Sequence, residues 1–139
     1  AAPDGGVLWL NGDVVFDPQV LVRVTDLIES DQSFVVVNTS KVSDEEVKYT
    51  LDASGHIDQL SKTVAGGLGE AVGINFVAGR DKAALIERLD QVGEQDYFER
   101  GIELAIELDQ LRFKAVDISD LYAVEIDFAE DLERANELF

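Results

Sequence analysis

Cysteine is absent from this 139-residue chain, which excludes disulfides, thiolate metal sites and cysteine nucleophiles together. Methionine is absent too, so either an initiator has been removed ahead of Ala1 or the chain is a piece of something longer. With one histidine in the sequence, a Ser-His-Asp triad could use no base but His56. That residue closes Ala53-Ser54-Gly55-His56 between two expected strands, which is turn chemistry, so His56 is expected in a hairpin and not as a base. No apolar run approaches the ~20 residues that cross a bilayer, and no signal-peptide pattern opens the chain. The expected compartment is the cytoplasm. Lysine is sparse (Lys41, Lys48, Lys62, Lys82 and Lys114), and 11 basic residues face 29 acidic ones for a formal charge of −18. So few cations cannot assemble a phosphate-neutralising stripe, which excludes sequence-independent binding to DNA, RNA or anionic membranes. The acidity fits plain solubility and adaptation to high salt equally well.

What the chain does have is apolar residues at 46%, enough for a real core in one domain. Val7 to Leu10 is an apolar run ending in Asn11-Gly12-Asp13, expected to be a buried strand that delivers a carboxylate into a loop. After Asp17-Pro18 a helical face repeats through Val20, Leu21, Val24, Leu27 and Ile28, with Pro18 suited to the first turn. Ser33 to Val37 is β-branched and strand-like. Val47–Leu51 and Ile57–Leu60 flank Asp52-Ala53-Ser54-Gly55, a hairpin signature. Ala65-Gly66-Gly67-Leu68-Gly69 matches neither a P-loop nor a dinucleotide fingerprint and is expected to be a loop over a site. Glu70–Val77 follows as a strand. Helices are expected over Asp81–Val92 and Tyr97–Leu108, then short strands over Leu111–Val116 and Ala123–Ile126, then a last helix capped by Asp127. Strands alternating with helices predict an α/β domain, a mainly parallel sheet flanked by helices.

In open α/β sheets, ligands bind beyond the carboxyl ends of the strands. Asp13 and Asp127 each follow an expected strand there. Paired carboxylates suit Mg²⁺, which takes one or two protein oxygens and completes its octahedron with phosphates and water. An aspartate after a strand is also an ordinary turn residue, and Asp127 an ordinary N-cap, so the positions alone leave both readings open.

An ordered series of motifs carries a resemblance. Trp9-Leu10-Asn11-Gly12-Asp13-Val14-Val15-Phe16-Asp17 comes first, then Glu45-Glu46-Val47-Lys48, Ser61-Lys62 and Gly69-Glu70-Ala71-Val72-Gly73-Ile74. Asp96-Tyr97-Phe98-Glu99 and Glu125-Ile126-Asp127-Phe128-Ala129-Glu130-Asp131-Leu132 complete it. From Val7 onward the chain resembles the carboxyl-terminal two-thirds of the sugar-phosphate and phospho-alcohol nucleotidyltransferases, nearest the phosphocholine and inositol-phosphate cytidylyltransferase type. No single motif is specific; the order is what carries the likeness. The resemblance implies a Rossmann-like fold with Asp13 and Asp127 as catalytic metal ligands for Mg²⁺. It places Lys62, Glu70, Asp96, Tyr97 and Glu125 around a phosphorylated acceptor, with Lys62 toward the acceptor phosphate. The implied reaction moves NMP from an NTP, CTP or UTP foremost, onto that acceptor. A phosphate oxygen attacks the α-phosphorus and pyrophosphate leaves in line.

The family's first strand and its Gly-rich loop with Arg have no counterpart in Ala1 to Gly6. The expectation is therefore a metal- and acceptor-binding portion of such an enzyme, inactive alone. The alternative is a non-catalytic interaction or regulatory domain that keeps the fold. In the family's sheet the missing strand lies beside Val7–Leu10, so that strand is expected to recruit an amino-terminal segment or a second copy.

Overall fold

The computed structural model describes residues 5–10, 14–39, 47–64, 67–92, 98–121 and 123–125. Its elements run β1 (Val7–Leu10), β2 (Val14–Phe16), α1 (Gln19–Glu29), β3 (Phe34–Asn38), β4 (Lys48–Leu51), β5 (Ile57–Ser61), β6 (Gly69–Val77), α2 (Lys82–Gln91), α3 (Phe98–Asp109), β7 (Lys114–Asp117) and β8 (Ala123–Glu125). The helix expected after Asp127 lies outside the described residues, as does the Ala65-Gly66 part of the glycine-rich loop.

The main sheet has the order β5-β4-β6-β3-β7, with β1 also on β6. It is mixed, not mainly parallel as the alternation of elements suggested. β3 and β7 run parallel, while β6 is antiparallel to β1, β3 and β4, and the β4–β5 hairpin is antiparallel. The physical reason lies in β6, a nine-residue strand that enters between its neighbours from the opposite end. Continuous burial made it look like a parallel strand, because any central strand covered on both faces is apolar at nearly every position. The α/β class itself holds.

One edge of β6 carries β3. Its other edge is shared, with β4 meeting Gly69–Ala71 and β1 meeting Ile74–Val77. Between those two pairings lie Val72 and Gly73. Gly73 has φ +84°, a left-handed conformation that favours glycine, and β3 shifts register opposite it between Val35 and Val37.

Strand alternation sends side chains to two cores. Val35, Val37, Tyr49, Leu60 and Phe113 pack with Leu85 and Ile102 of α2 and α3. Phe34, Val36, Ile74 and Phe76 face the other way, onto Val20 and Val24 of α1. Those two valines are one turn apart and fully buried, while Val22 between them is 64% exposed, which is the amphipathic spacing the sequence showed. The Phe34 and Phe76 rings stack with centroids 5.5 Å apart. Pro18 occupies the N-cap, and the Asp17 carboxylate accepts from the Gln19 N–H at 2.9 Å.

His56 sits in the hairpin, as expected. Asp52 Oδ1 accepts from the Ser54 and His56 N–H groups, Gly55 turns at φ +86°, and Ser54 Oγ lies 2.9 Å from His56 Nδ1. These hydrogen bonds, that of the Ser54 hydroxyl first, hold the Asp52 carboxyl below the ordinary aspartate range. His56 also bridges to Lys114, and the Ile57 N–H donates to the Phe113 carbonyl at 2.9 Å, so the hairpin curls round to meet β7.

β1 is less buried than its apolar sequence implied. Val7, Leu8 and Trp9 are half-buried and Leu10 is 47% exposed. Among the described residues β6 is its one strand partner.

Candidate functional site

The strand registers place four polar residues in one transverse row. Asn38 of β3 pairs with Glu70 of β6, Glu70 with Lys48 of β4, and Lys48 with Ser61 of β5. Directly opposite residues on antiparallel strands share a face, with Cβ atoms about 4.5–5.5 Å apart. Asn38, Glu70 and Lys48 are nevertheless 8%, 9% and 6% exposed. Their chain neighbours Val37, Ala71, Val47 and Tyr49 belong to the α2–α3 core. By alternation the polar row therefore lies on the α1 face, at the end where β3 and β7 finish.

Close backbone approach shapes that end. A Cβ on Gly69 would stand 2.4 Å from the Asn38 carbonyl oxygen, and one on Gly67 would stand 2.9 Å from the Lys48 Cβ. Gly67 therefore lets the chain approach the Lys48 side chain, and Gly69 lets β6 approach the backbone of Asn38 and Thr39. Hydrogen bonds tie the neighbouring strand ends together. The Thr39 N–H donates to Ser119 Oγ at 2.8 Å, and the Ser119 hydroxyl donates to Asp117. Arg23 of α1 donates to the Asp117 carbonyl at 3.1 Å and grips the Asp120 carboxylate with two hydrogen bonds of 2.6 and 2.8 Å.

That bidentate grip from Arg23 is the main cause lowering the Asp120 carboxyl to about 2. A depressed acid stabilises the fold above its unfolded pKa and loses that contribution as pH falls through the folded one. The pair is largely solvent-exposed, so the contribution is small. Titration followed by carboxyl NMR should put the Asp120 midpoint near pH 2. In Arg23→Gln it should move up toward about 3.9, the ordinary aspartate value; an unmoved midpoint would show that Arg23 is not the cause.

β2 and β8 form a two-stranded ribbon with Val14 opposite Glu125 and Phe16 opposite Ala123. Phe16 and Ala123 pack against the α1-side core, and β8 contacts β6. The ribbon thus lies on the same face as the polar row.

Of the residues singled out from sequence, Glu70 is buried near the start of β6 and Lys62 is exposed in the turn after β5. Lys62 follows Ser61, so it stands at the same end of the sheet as Glu70 with β4 between them. Two strand spacings amount to about 10 Å. Glu125 ends β8. Asp13, Asp96, Tyr97 and Asp127 lie outside the described residues. Asn38 and Lys48 escaped notice as site residues. The signal for Lys48 was a cation between Val47 and Tyr49, at the alternate position of a strand; for Asn38 it was a polar end to a valine run. Among the described residues no group of three or more His, Asp or Glu could hold a metal ion. No helix among them is long and apolar enough to cross a membrane.

No protein-family model matches the chain, and no curated protein does. Solved structures do. The chain is similar to the inositol-1-phosphate CTP transferase from T. maritima, with a TM-score of 0.72 and 14% identity over 95% of this chain and 54% of that one. It is similar to a putative glucose-1-phosphate thymidylyltransferase from Bacillus anthracis, at TM-score 0.68 and 13% identity over 97% and 55%. A nucleoside-diphosphate-sugar pyrophosphorylase from Vibrio cholerae RC9 gives 0.65 and 9% over 96% and 56%. The fold is therefore nucleotidyltransferase-like. The chain spans about half the length of these structures, less than the two-thirds the motif series suggested.

Proposed function

We propose that this chain supplies the metal- and acceptor-binding part of an enzyme that transfers NMP from an NTP, CTP or UTP foremost, to a phosphorylated sugar or alcohol. The observation that carries this is the β2–β8 ribbon. Asp13 immediately precedes Val14, Asp127 follows Glu125 by two residues, and Val14 and Glu125 are cross-strand partners. The ribbon so formed joins segments more than a hundred positions apart in sequence and lies on the face that bears Glu70, which supports reading Asp13 and Asp127 together. Hard oxygen donors of this type fit Mg²⁺. Asp13 and Asp127 would hold the ion, which when bound supplies positive charge to phosphates that a chain of −18 otherwise repels. Glu70 and Glu125 would accept from acceptor hydroxyls, Asp96 and Tyr97 would line a cationic or polyhydroxyl head group, and Lys62 would meet the acceptor phosphate. The edge of β1 away from β6, where the described residues place no strand, would pair with a strand from the part of a longer chain that this one does not span, or with a second copy.

The test is pyrophosphate release by the full-length protein from CTP or UTP with Mg²⁺ and either inositol 1-phosphate or glucose 1-phosphate. Release that requires both substrates supports the proposal. Saturable substrate binding without release would indicate an interaction domain that keeps the fold, and neither binding nor release would end the nucleotidyltransferase assignment.

A further inference from the structure

We infer that Lys48 is a positioning residue of the acceptor site, acting through Glu70, so that Asn38, Glu70 and Lys48 work as one polar unit; this rests on the acceptor role proposed for Glu70. The buried row requires some such account. A glutamate and a lysine that are both more than nine-tenths buried stand at directly opposed positions on adjacent strands in the interior of a sheet. Burying two charges costs free energy that mutual attraction returns only in part, and well-packed apolar residues of similar volume often serve stability as well or better. On the same face, Phe34 and Val36 of β3 and Val72 and Ile74 of β6 are apolar. Stability therefore does not explain the pair.

Its location suggests what does. The row lies on the face shared with the β2–β8 ribbon and at the end where β3 and β7 stop, with Gly67 close against the Lys48 side chain. A carboxylate that is to accept from substrate hydroxyls must be held in a fixed position, and an opposing side chain on a rigid strand can hold it there. Asn38, on the other flank of Glu70, supplies an amide that can donate as well as accept. Lys62, exposed at the end of β5, is not equivalent. It stands on the exposed surface, whereas Lys48 is buried inside the sheet.

The test is a double-mutant cycle on the full-length protein, read twice. Lys48→Met, Glu70→Gln and their combination are compared for affinity toward inositol 1-phosphate and glucose 1-phosphate, and for thermal midpoint. Each single variant should weaken the better probe at least tenfold, as expected when a hydrogen bond to a charged group is lost. The double variant should bind no more weakly than Glu70→Gln alone. Lys48→Met should lower the thermal midpoint by removing the cation opposite a buried carboxylate; the double variant should regain it without regaining affinity. Lys48→Arg, which keeps the charge, should bind within about threefold of the parent and covers the case in which Lys48→Met fails to fold. Multiplicative losses of affinity, or additive losses of thermal midpoint, would overturn the unit. If the parent binds neither probe, the acceptor assignment of Glu70 fails, and the positioning role with it. The thermal cycle then still reports whether the two side chains are coupled, which separates that failure from a wrong pairing.

Discussion

Asp13→Asn and Asp127→Asn are each expected to lower Mg²⁺-dependent nucleotidyl transfer by about a thousandfold, while leaving the thermal midpoint unchanged or slightly raised. A metal-bound carboxylate contributes several kcal/mol of charge stabilisation to phosphoryl chemistry, and about 1.4 kcal/mol corresponds to a factor of ten in rate. Asparagine keeps the shape and one oxygen but not the charge, so metal affinity falls while packing survives. Each substitution also removes one negative charge from a chain at −18, which is why it should not destabilise the protein. The Mg²⁺ concentration for half-maximal rate should rise in both variants. A rate within threefold of the parent for either would remove that aspartate from the site.

Raising ionic strength is expected to drive the 139-residue chain from monomer toward dimer, opposite to the usual effect of salt on charged interfaces. β1 meets β6 on one edge, and the described residues place no strand on the other, while Leu10 at its end is 47% exposed. An open strand edge with apolar side chains is a template for another strand. At low salt a charge of −18 per chain keeps copies apart over a Debye length of about 30 Å; near 1 M that length is about 3 Å and the edge can act. Sedimentation across a salt series measures this. Substituting proline for a β1 residue whose N–H faces away from β6 removes one donor of that edge and should abolish the dimer; a compact monomer at every salt concentration would show the edge to be inert.

Much of this fold could be read from local pattern, because the signals involved were local. Val20 and Val24, the Asp52–Gly55 turn and the β-branched run into Val37 each declare their structure within a few residues. Strand direction could not be read that way. β6 runs against its neighbours because of where the chain re-enters the sheet, and its unbroken apolar sequence is silent about that. β2 was missed altogether, since Val14–Phe16 is short and takes its identity from pairing with Ala123–Glu125 more than a hundred residues away. The same limit applied to the site. Glu70 stands out in a motif, but its position opposite Asn38 and Lys48 emerges only from cross-strand register, which links positions on three strands.

The parallel pairing of β3 with β7 joins Phe34 to Lys114 and Val37 to Asp117, and the hairpin reaches the same strand through Ile57 and Phe113. During synthesis, then, the valine-rich β3 must wait for about eighty further residues before its second neighbour exists. At roughly 5–20 residues per second that is a delay of several seconds. Contacts so distant in sequence also slow folding once the chain is complete. For that interval an apolar strand has an open side in a crowded cell, and the strong negative charge acquires a kinetic use: it keeps nascent chains from pairing with one another before β7 arrives.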